Sequence, residues 1–402
     1  MCNVGDDNFE NDVANVMVQK DIVKLSNSST CNKCRLEKAC VVLRHKDAYC
    51  KSCFLAGAVH KFKALLGKSR LIHINDQVLI YHKIGHPSTA LLHFLRTGLD
   101  LNTHKKLRFK PIVLFVEDQI QLNREQRKEI LKQVEKEVTS FGFKFYCVSF
   151  VDYVLNPSSV QENICSNKVN ITENDKQKLQ SVLDKKTSKT NSNDLIKLFK
   201  RQLLVDAAKS LDCKFVFTPE ISVDIASNLL TNISLGRGCH VPIDTGFCDD
   251  RDDVKLLRPL RLFDMKELAL YNKFNGLEPL SIPYFEVNPY ASVQDLMIKF
   301  VNDLQQNFPA TITTIMKTGD KLSLDKGITD ICTLCKGALP KKSSELTSEE
   351  STSFSRIVST KTLDYTHSRQ ERYQDILGDY ESQKVSENGY CYACTKIKPY
   401  IL

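Results

Sequence analysis

Gln77-Val-Leu-Ile-Tyr81-His-Lys-Ile-Gly-His-Pro-Ser-Thr89 is the stretch on which the fold turns. The run from Gln77 to Tyr81 has strand length and no polar alternation, as a strand buried on both faces requires. It passes into a loop, Lys83 to Pro87, and then into a helix with Leu91, Leu92, Leu95 and Leu99 on one side. The same pattern repeats downstream. Pro111 to Val116 reads as a strand, Asn123 to Thr139 as a charged helix ended by Phe141-Gly142, and Phe143 to Phe150 as a third strand. Helices are then expected from Asp194 to Leu211, Ile221 to Leu235, Met265 to Phe274 and Ser292 to Asn307, the last closed by Pro309. A further strand is expected from Lys214 to Thr218. Strands alternating with helices predict an α/β fold, a doubly wound and mostly parallel sheet covered on both faces.

Ligands of such sheets bind at the carboxyl ends of the strands, commonly in the loop after the first. A loop that cradles phosphate needs glycines for close backbone approach and an open helix N-terminus facing the anion. Only Gly85 meets the first need here, and Ser88 and Thr89 suit the cap of the following helix. As a nucleotide site the loop is poor; a plain strand-to-helix connection is the simpler reading.

Both ends of the chain carry paired CxxC motifs: Cys31/Cys34 with Cys50/Cys53, and Cys332/Cys335 with Cys391/Cys394. One CxxC turn brings two thiolates to an ion, and two turns complete a tetrahedral set, so structural zinc is expected. Fifteen residues separate the first two pairs, a common length for a zinc knuckle, whereas fifty-five separate the second two. Disulfides are the alternative, but nothing points to an oxidising compartment. Residues 1–20 are acidic and polar without the apolar stretch of a secretory leader, and no run approaches a membrane span. His45 and His60 read as solvated or packed rather than as substitute ligands, and Cys40, Cys239 and Cys248 as ordinary thiols.

The 402 residues leave room for a full α/β domain with accessory modules. Residues 1–30 are polar and expected to be disordered; 31–70 hold the first knuckle and a basic helix from Phe54 to Arg70. Residues 71–330 form the α/β domain, with a polar, partly disordered insertion at about 154–193. Residues 331–402 carry the second set of pairs around a polar insertion at about 338–388. A net charge of +8 with 42% hydrophobic residues describes an ordinary soluble protein, and alone it supports nucleic-acid binding only weakly.

Cys31-Asn-Lys-Cys34, Tyr49-Cys-Lys-Ser-Cys-Phe54 and His60-Lys-Phe62, followed by the strand and loop, resemble the start of cytoplasmic tRNA 2-thiolation proteins. These belong to the PP-loop ATPase superfamily, whose active members carry SGGxDS after the first strand. Ile84, Gly85, His86, Pro87, Ser88 and Thr89 stand at those six positions; the first serine, the second glycine and the acidic residue are replaced. Phe199-Lys-Arg-Gln-Leu-Leu204 is similar to the FRRQAL segment of the catalytic subunit, whose upstream CxxC falls here on Asn193 and Ile196. Thr218-Pro-Glu-Ile-Ser-Val-Asp-Ile-Ala226 lines up with TGHNADDIA. It keeps Asp224, with Asn232 in the following helix, but has Pro219, Glu220 and Val223 for the Gly, His and first Asp. No cysteine lies between Cys248 and Cys332, where the active subunit has another.

The resemblance covers about residues 31–95 and 194–310, and it implies the non-catalytic partner subunit. That means no catalytic residue, no ATP and no iron–sulfur cluster on this chain. It also implies a cytoplasmic heterodimer with a catalytic thiolase subunit, contact with tRNA, an indirect link to a ubiquitin-related sulfur carrier, and no membrane contact. Candidate tRNA contacts are Lys61, Lys63, Lys68 and Arg70, with Lys197, Lys200 and Arg201 at i, i+3 and i+4 on one helix face. Structural zinc alone is the simpler reading beside the first set, and a solvated face is the simpler reading of the second. Glu117-Asp118 at a strand end reads equally as solvated carboxylates or as a former nucleotide contact; Gly236-Arg-Gly238 reads as a helix stop and Arg258-Pro-Leu-Arg261 as a turn rather than as anion sites. Two other functions fit: an active ATP-dependent sulfurtransferase with an atypical loop, and a zinc-dependent RNA-binding scaffold unrelated to thiolation.

Overall fold

The structure, a computed structural model, describes residues 30–44, 47–102, 106–166, 169, 171–172, 174–183, 188–283, 288–322, 330–339, 348–360, 370, 374 and 389–398. The expectations for residues 1–29, for His45 and for most of 338–388 lie outside these. The chain divides into two units, residues 1–323 and 324–402.

In the first unit a small antiparallel pair, β1 (Val41–Leu43) and β2 (Asp47–Tyr49), precedes the main sheet. That sheet contains β3 (Gln77–His82), β4 (Lys110–Glu117), β5 (Lys144–Ser149), β6 (Phe215–Phe217), β7 (Cys248–Asp249) and β8 (Lys255–Leu257), in the order β5-β4-β3-β6-β8-β7. All neighbours are parallel except β7 with β8. The expected α/β class and mostly parallel sheet are therefore present. Central β3 explains the unbroken apolar run: Val78, Leu79 and Ile80 are at most 1% exposed, with neighbours on both edges and cover on both faces.

Helices α1 (Lys51–Ser69), α2 (His86–Leu99) and α3 (Arg124–Ser140) belong to the first half of the unit. Asn123 caps α3 through the N–H of Gln126, whose side chain returns to the cap, and Gly142 at φ +72° lies in the turn beyond its end. The region 154–193, expected as a partly disordered insertion, is instead largely helical where described. It includes α5 (Val160–Ser166) and α6 (Asp175–Leu183), which follow a short α4 (Phe150–Leu155). Val160, Ile164, Ile171, Leu179 and Leu183 are buried, so a few well-spaced apolar residues suffice to dock an otherwise polar segment. The next helix, α7, runs Lys189–Ser210, one turn earlier than the expected start at Asp194, because Ser188 supplies its cap.

Beyond β6 come α8 (Ser222–Ser234), α9 (Val241–Thr245), α10 (Met265–Phe274), α11 (Val293–Asn307) and α12 (Pro309–Lys321). Pro309 closes α11 and also opens α12, its missing N–H costing nothing in a first turn. The core joins α1, α2 and α10 to the sheet through aromatic contacts. Phe62 stacks on Phe94 with ring centres 4.9 Å apart, and Phe94 on Tyr271 at 4.2 Å. The helix that leaves the first knuckle is thus anchored in the main core. In the second unit, α13 (Ser348–Thr360) and α14 (Tyr392–Ile397) are described.

Candidate metal centres and strand-end crevice

The four sulfurs of Cys31, Cys34, Cys50 and Cys53 lie within 4.8 Å of one another, and so do those of Cys332, Cys335, Cys391 and Cys394. The Cys34–Cys50 sulfurs are 3.9 Å apart and the Cys335–Cys391 sulfurs 3.8 Å. A tetrahedral ion with metal–sulfur bonds of about 2.3 Å spaces its ligands by roughly 3.8 Å, so both sets fit one ion each. An iron–sulfur cluster separates its thiolates by the width of its inorganic core, which suits these short gaps poorly.

The two knuckles are built alike. Arg35 and Lys336 follow the second cysteine of their motifs at φ +57° and +58°. The N–H of each reaches back 2.9 Å to the carbonyl of Cys31 or Cys332. The following pair opens a helix in each case, at α1 and at α14. Cys50 accepts the N–H of Cys53 at 3.4 Å as the cap of α1, which sets a thiolate against the positive end of a helix. Burial resists ionisation of Cys31, but the N–H groups of Cys34, Cys50 and Lys33 bring its pKa down to about 6. Crowding by its neighbours, Cys50 first, pushes Cys53 up to about 12. Four such groups cannot all ionise side by side without a cation between them. Glu37 and Ser52, unnoticed in the sequence, extend the first set outward: the Ser52 hydroxyl is 3.2 Å from the Cys50 sulfur and donates to Glu37 at 3.0 Å.

At the carboxyl end of the sheet, β3 has β4 on one side and β6 on the other, which makes it the point where the strand order reverses. The loop there is tied to its own protein. Lys83 donates its N–H to the Ser88 hydroxyl at 2.8 Å, and the Thr89 hydroxyl donates to Glu137 at 2.5 Å. Both hydroxyl side chains are buried, and Pro87 removes an N–H from the first turn of α2. Gly85 sits at φ +125°, a conformation side chains rarely adopt.

Two of the cations around the loop are paired internally. Lys200 is ion-paired with Asp118, and Arg258 with Glu220 at 2.8 Å. Glu220 also accepts the Thr218 hydroxyl at 3.1 Å and the Asn228 amide at 3.4 Å. Burial, with the charges of Asp118 and Glu220, pushes the Tyr81 phenol far up. One reading of the sequence is corrected here and two are extended. Glu117 is buried, not solvated, and accepts both arms of Arg127. Gly236 does stop α8, but Arg237 turns inward onto Asp194 at 2.8 and 2.6 Å. Arg258 and Arg261 are more than a turn: they brace the backbone carbonyls of Ile243, Gly246 and Thr245.

The basic candidates separate. At 100° per residue Lys61 and Lys68 share one side of α1 and Lys63 lies nearly opposite, while Arg70 stands past the helix end at φ +49°. Lys61 is bound to Glu267 at 2.6 Å and lies over the Phe263 ring, a strut to α10; Lys68 and Arg70 are exposed. On α7, Lys197 donates to Asn228 at 3.1 Å, and Arg201 is held by Asp249 at 3.2 Å and by Asp252 at 2.5 Å. Among the described residues no helix is long and apolar enough to cross a membrane.

A parallel sheet of this order with a thiolate set in each unit is the architecture of a PP-loop-type α/β protein with cysteine knuckles. The solved U34-tRNA thiolase NcsA from Methanococcus maripaludis, which carries a 4Fe–4S cluster, shares this fold. The match has a TM-score of 0.56 and 18% identity, covering 76% of this chain and 95% of that one. A family profile described as cytoplasmic tRNA 2-thiolation protein 2 matches residues 292–396. The relative of that name in Drosophila melanogaster is 32% identical over 99% of this chain and 98% of its own length. That in Anopheles gambiae is 31% identical over 90% and 87%. The chain belongs to the cytoplasmic tRNA 2-thiolation protein 2 family.

Proposed function

We propose that this chain is the non-catalytic subunit of a heterodimeric tRNA thiolase acting in the cytoplasm. In this reading the complex places sulfur at carbon 2 of the wobble uridine, U34, of cytosolic tRNAs for Lys, Glu and Gln, drawing it from a thiocarboxylated ubiquitin-related carrier. The observation that carries the division of labour is the loop after β3. Its hydroxyls, Ser88 and Thr89, are buried in bonds to Lys83 and Glu137, in the place where a PP-loop enzyme would meet phosphate. ATP activation and sulfur handling then belong to the partner subunit, and this chain contributes tRNA-binding surface and the stability of the complex.

Zinc is the ion proposed for both cysteine sets, as a structural element that fixes the knuckles. Of the seven basic candidates, Lys68 and Arg70 suit phosphate contact best because they stand exposed at the end of α1. Lys61, Lys200 and Arg201 are held by carboxylates and serve the fold first. The test is the 2-thiouridine content of cytosolic tRNA, read as retardation on a mercury-containing gel, before and after depletion of this chain. Loss of the retarded band and its return on re-expression is the expected result. An unchanged band would leave the chain outside thiolation.

A further inference from the structure

The crevice at the end of β3 holds cations as well as carboxylates, and their pairing is selective. Lys200 of α7 reaches across to Asp118, just past β4. Arg258, just past β8, reaches Glu220, just past β6. Asp118 and Glu220 thus hang from two strand ends on opposite sides of β3, each carrying a bound cation. Glu220 is gripped by two further groups, the Thr218 hydroxyl and the Asn228 amide, and Asn228 in turn accepts from Lys197. A hydroxyl, an amide and a guanidinium converging on one anion are the donors that a phosphate group would draw. Here they close on a carboxylate of the same chain.

We infer that Asp118 and Glu220 are built-in counter-anions that occupy the crevice in place of an external polyphosphate, and that their charge keeps such ligands out. The inference rests on the reading that this chain does not use ATP, and adds how the crevice is kept shut. Removing the two negative charges while keeping size and polarity frees Lys200 and the Nε of Arg258, whose Nη1 stays on the Ile243 and Gly246 carbonyls, in a site that already faces the end of the central strand. The crevice then becomes a receptor for pyrophosphate-bearing ligands.

The experiment compares the full chain with D118N/E220Q, titrating inorganic pyrophosphate with magnesium by calorimetry and following the melting temperature. The expected result is no saturable binding to the wild type up to about 1 mM, and binding to the double variant at least ~10-fold tighter. Asp118 and Glu220 are partly exposed, with side chains 17% and 30% accessible, which favours folding of the variant. Should the double variant fail to fold, D118N and E220Q taken singly are each expected to bind pyrophosphate more tightly than the wild type. A folded variant that binds no better than the wild type overturns the counter-anion role and leaves the ATP-free reading standing. Wild-type binding of both pyrophosphate and magnesium–ATP overturns both together.

Discussion

Arg127 of α3 forms a two-pronged bond to Glu117 at the end of β4, 2.8 Å from Nε and 2.5 Å from the second arm, and its remaining arm meets Asp175 of α6 at 3.0 Å. None of the three side chains is more than 3% exposed. One guanidinium thus fastens a strand end, a surface helix and the polar segment 154–193 to one another. Burial alone would penalise all three charges, and only the completeness of the bonding makes them tolerable.

Replacing Arg127 by Ala strands two buried carboxylates. The expected cost is about 3–5 kcal/mol of folding free energy, read as a lowered urea midpoint. A loss near zero would mean that water or a neighbouring cation replaces the guanidinium.

The same cluster sets an acid limit. Burial raises the pKa of Asp175, but the hydroxyl and N–H of Thr172 and the charge of Arg127 outweigh it and hold the carboxyl below its usual range. A depressed folded-state pKa contributes stability that is full above the unfolded value and is lost as pH falls through the folded one. The contribution therefore begins to fall at about pH 4, where the unfolded carboxyl titrates, and is gone only below the lower folded-state value; D175N should flatten the stability curve in that acid range, in urea melts taken at several pH values.

Metal content tests the cysteine sets directly. The full chain is expected to carry about two equivalents of zinc by elemental analysis, and C31S/C34S about one. Since the N-cap of α1 is Cys50 and α1 reaches the core through Phe62, loss of the first ion should also lower the melting temperature of the first unit. Full stability after complete chelation would remove the structural role.

Gly319 of α12 lies against Thr245 of α9, where an added Cβ would stand 2.6 Å from the threonine methyl and 2.7 Å from its hydroxyl. That hydroxyl is already committed to the Val241 carbonyl at 2.8 Å, so it cannot simply swing aside. Gly319→Ala is expected to destabilise by about 1–3 kcal/mol through overpacking, measured by urea unfolding. An unchanged midpoint would show that the two helices separate freely.

Within the loop, His86→Ala should leave tRNA thiolation near normal in cells, since no function of the chain is assigned to that side chain. Gly85→Ala is expected to cost about 1–3 kcal/mol of stability because of its φ of +125°, while the protein that does fold still supports thiolation. Loss of the mercury-retarded band with a stable, partner-bound His86→Ala protein would give the loop an active part.

Periodicity and spacing determined much of this protein. The apolar run of β3 marked a doubly buried strand because Val78 to Tyr81 is four such residues in a row at strand length, and the CxxC pairs marked metal sets because two thiolates per turn is a local geometry. The charged run from Asn123 to Thr139, ended by Phe141-Gly142, announced α3 for equally local reasons. What the sequence alone did not show depends on partners distant in the chain. Glu117 looked solvated until Arg127, which it shares with Asp175, closed on it, and the segment 154–193 looked partly disordered because its few apolar residues act only against a surface built elsewhere. Lys61, Lys200 and Arg201 read as free positive charge, yet their counter-ions Glu267, Asp118 and Asp249 lie 206, 82 and 48 positions away. Local propensity is written in neighbouring residues; the pairing of buried charges is decided by which strand ends and helices the sheet brings together, and that only the tertiary structure supplies.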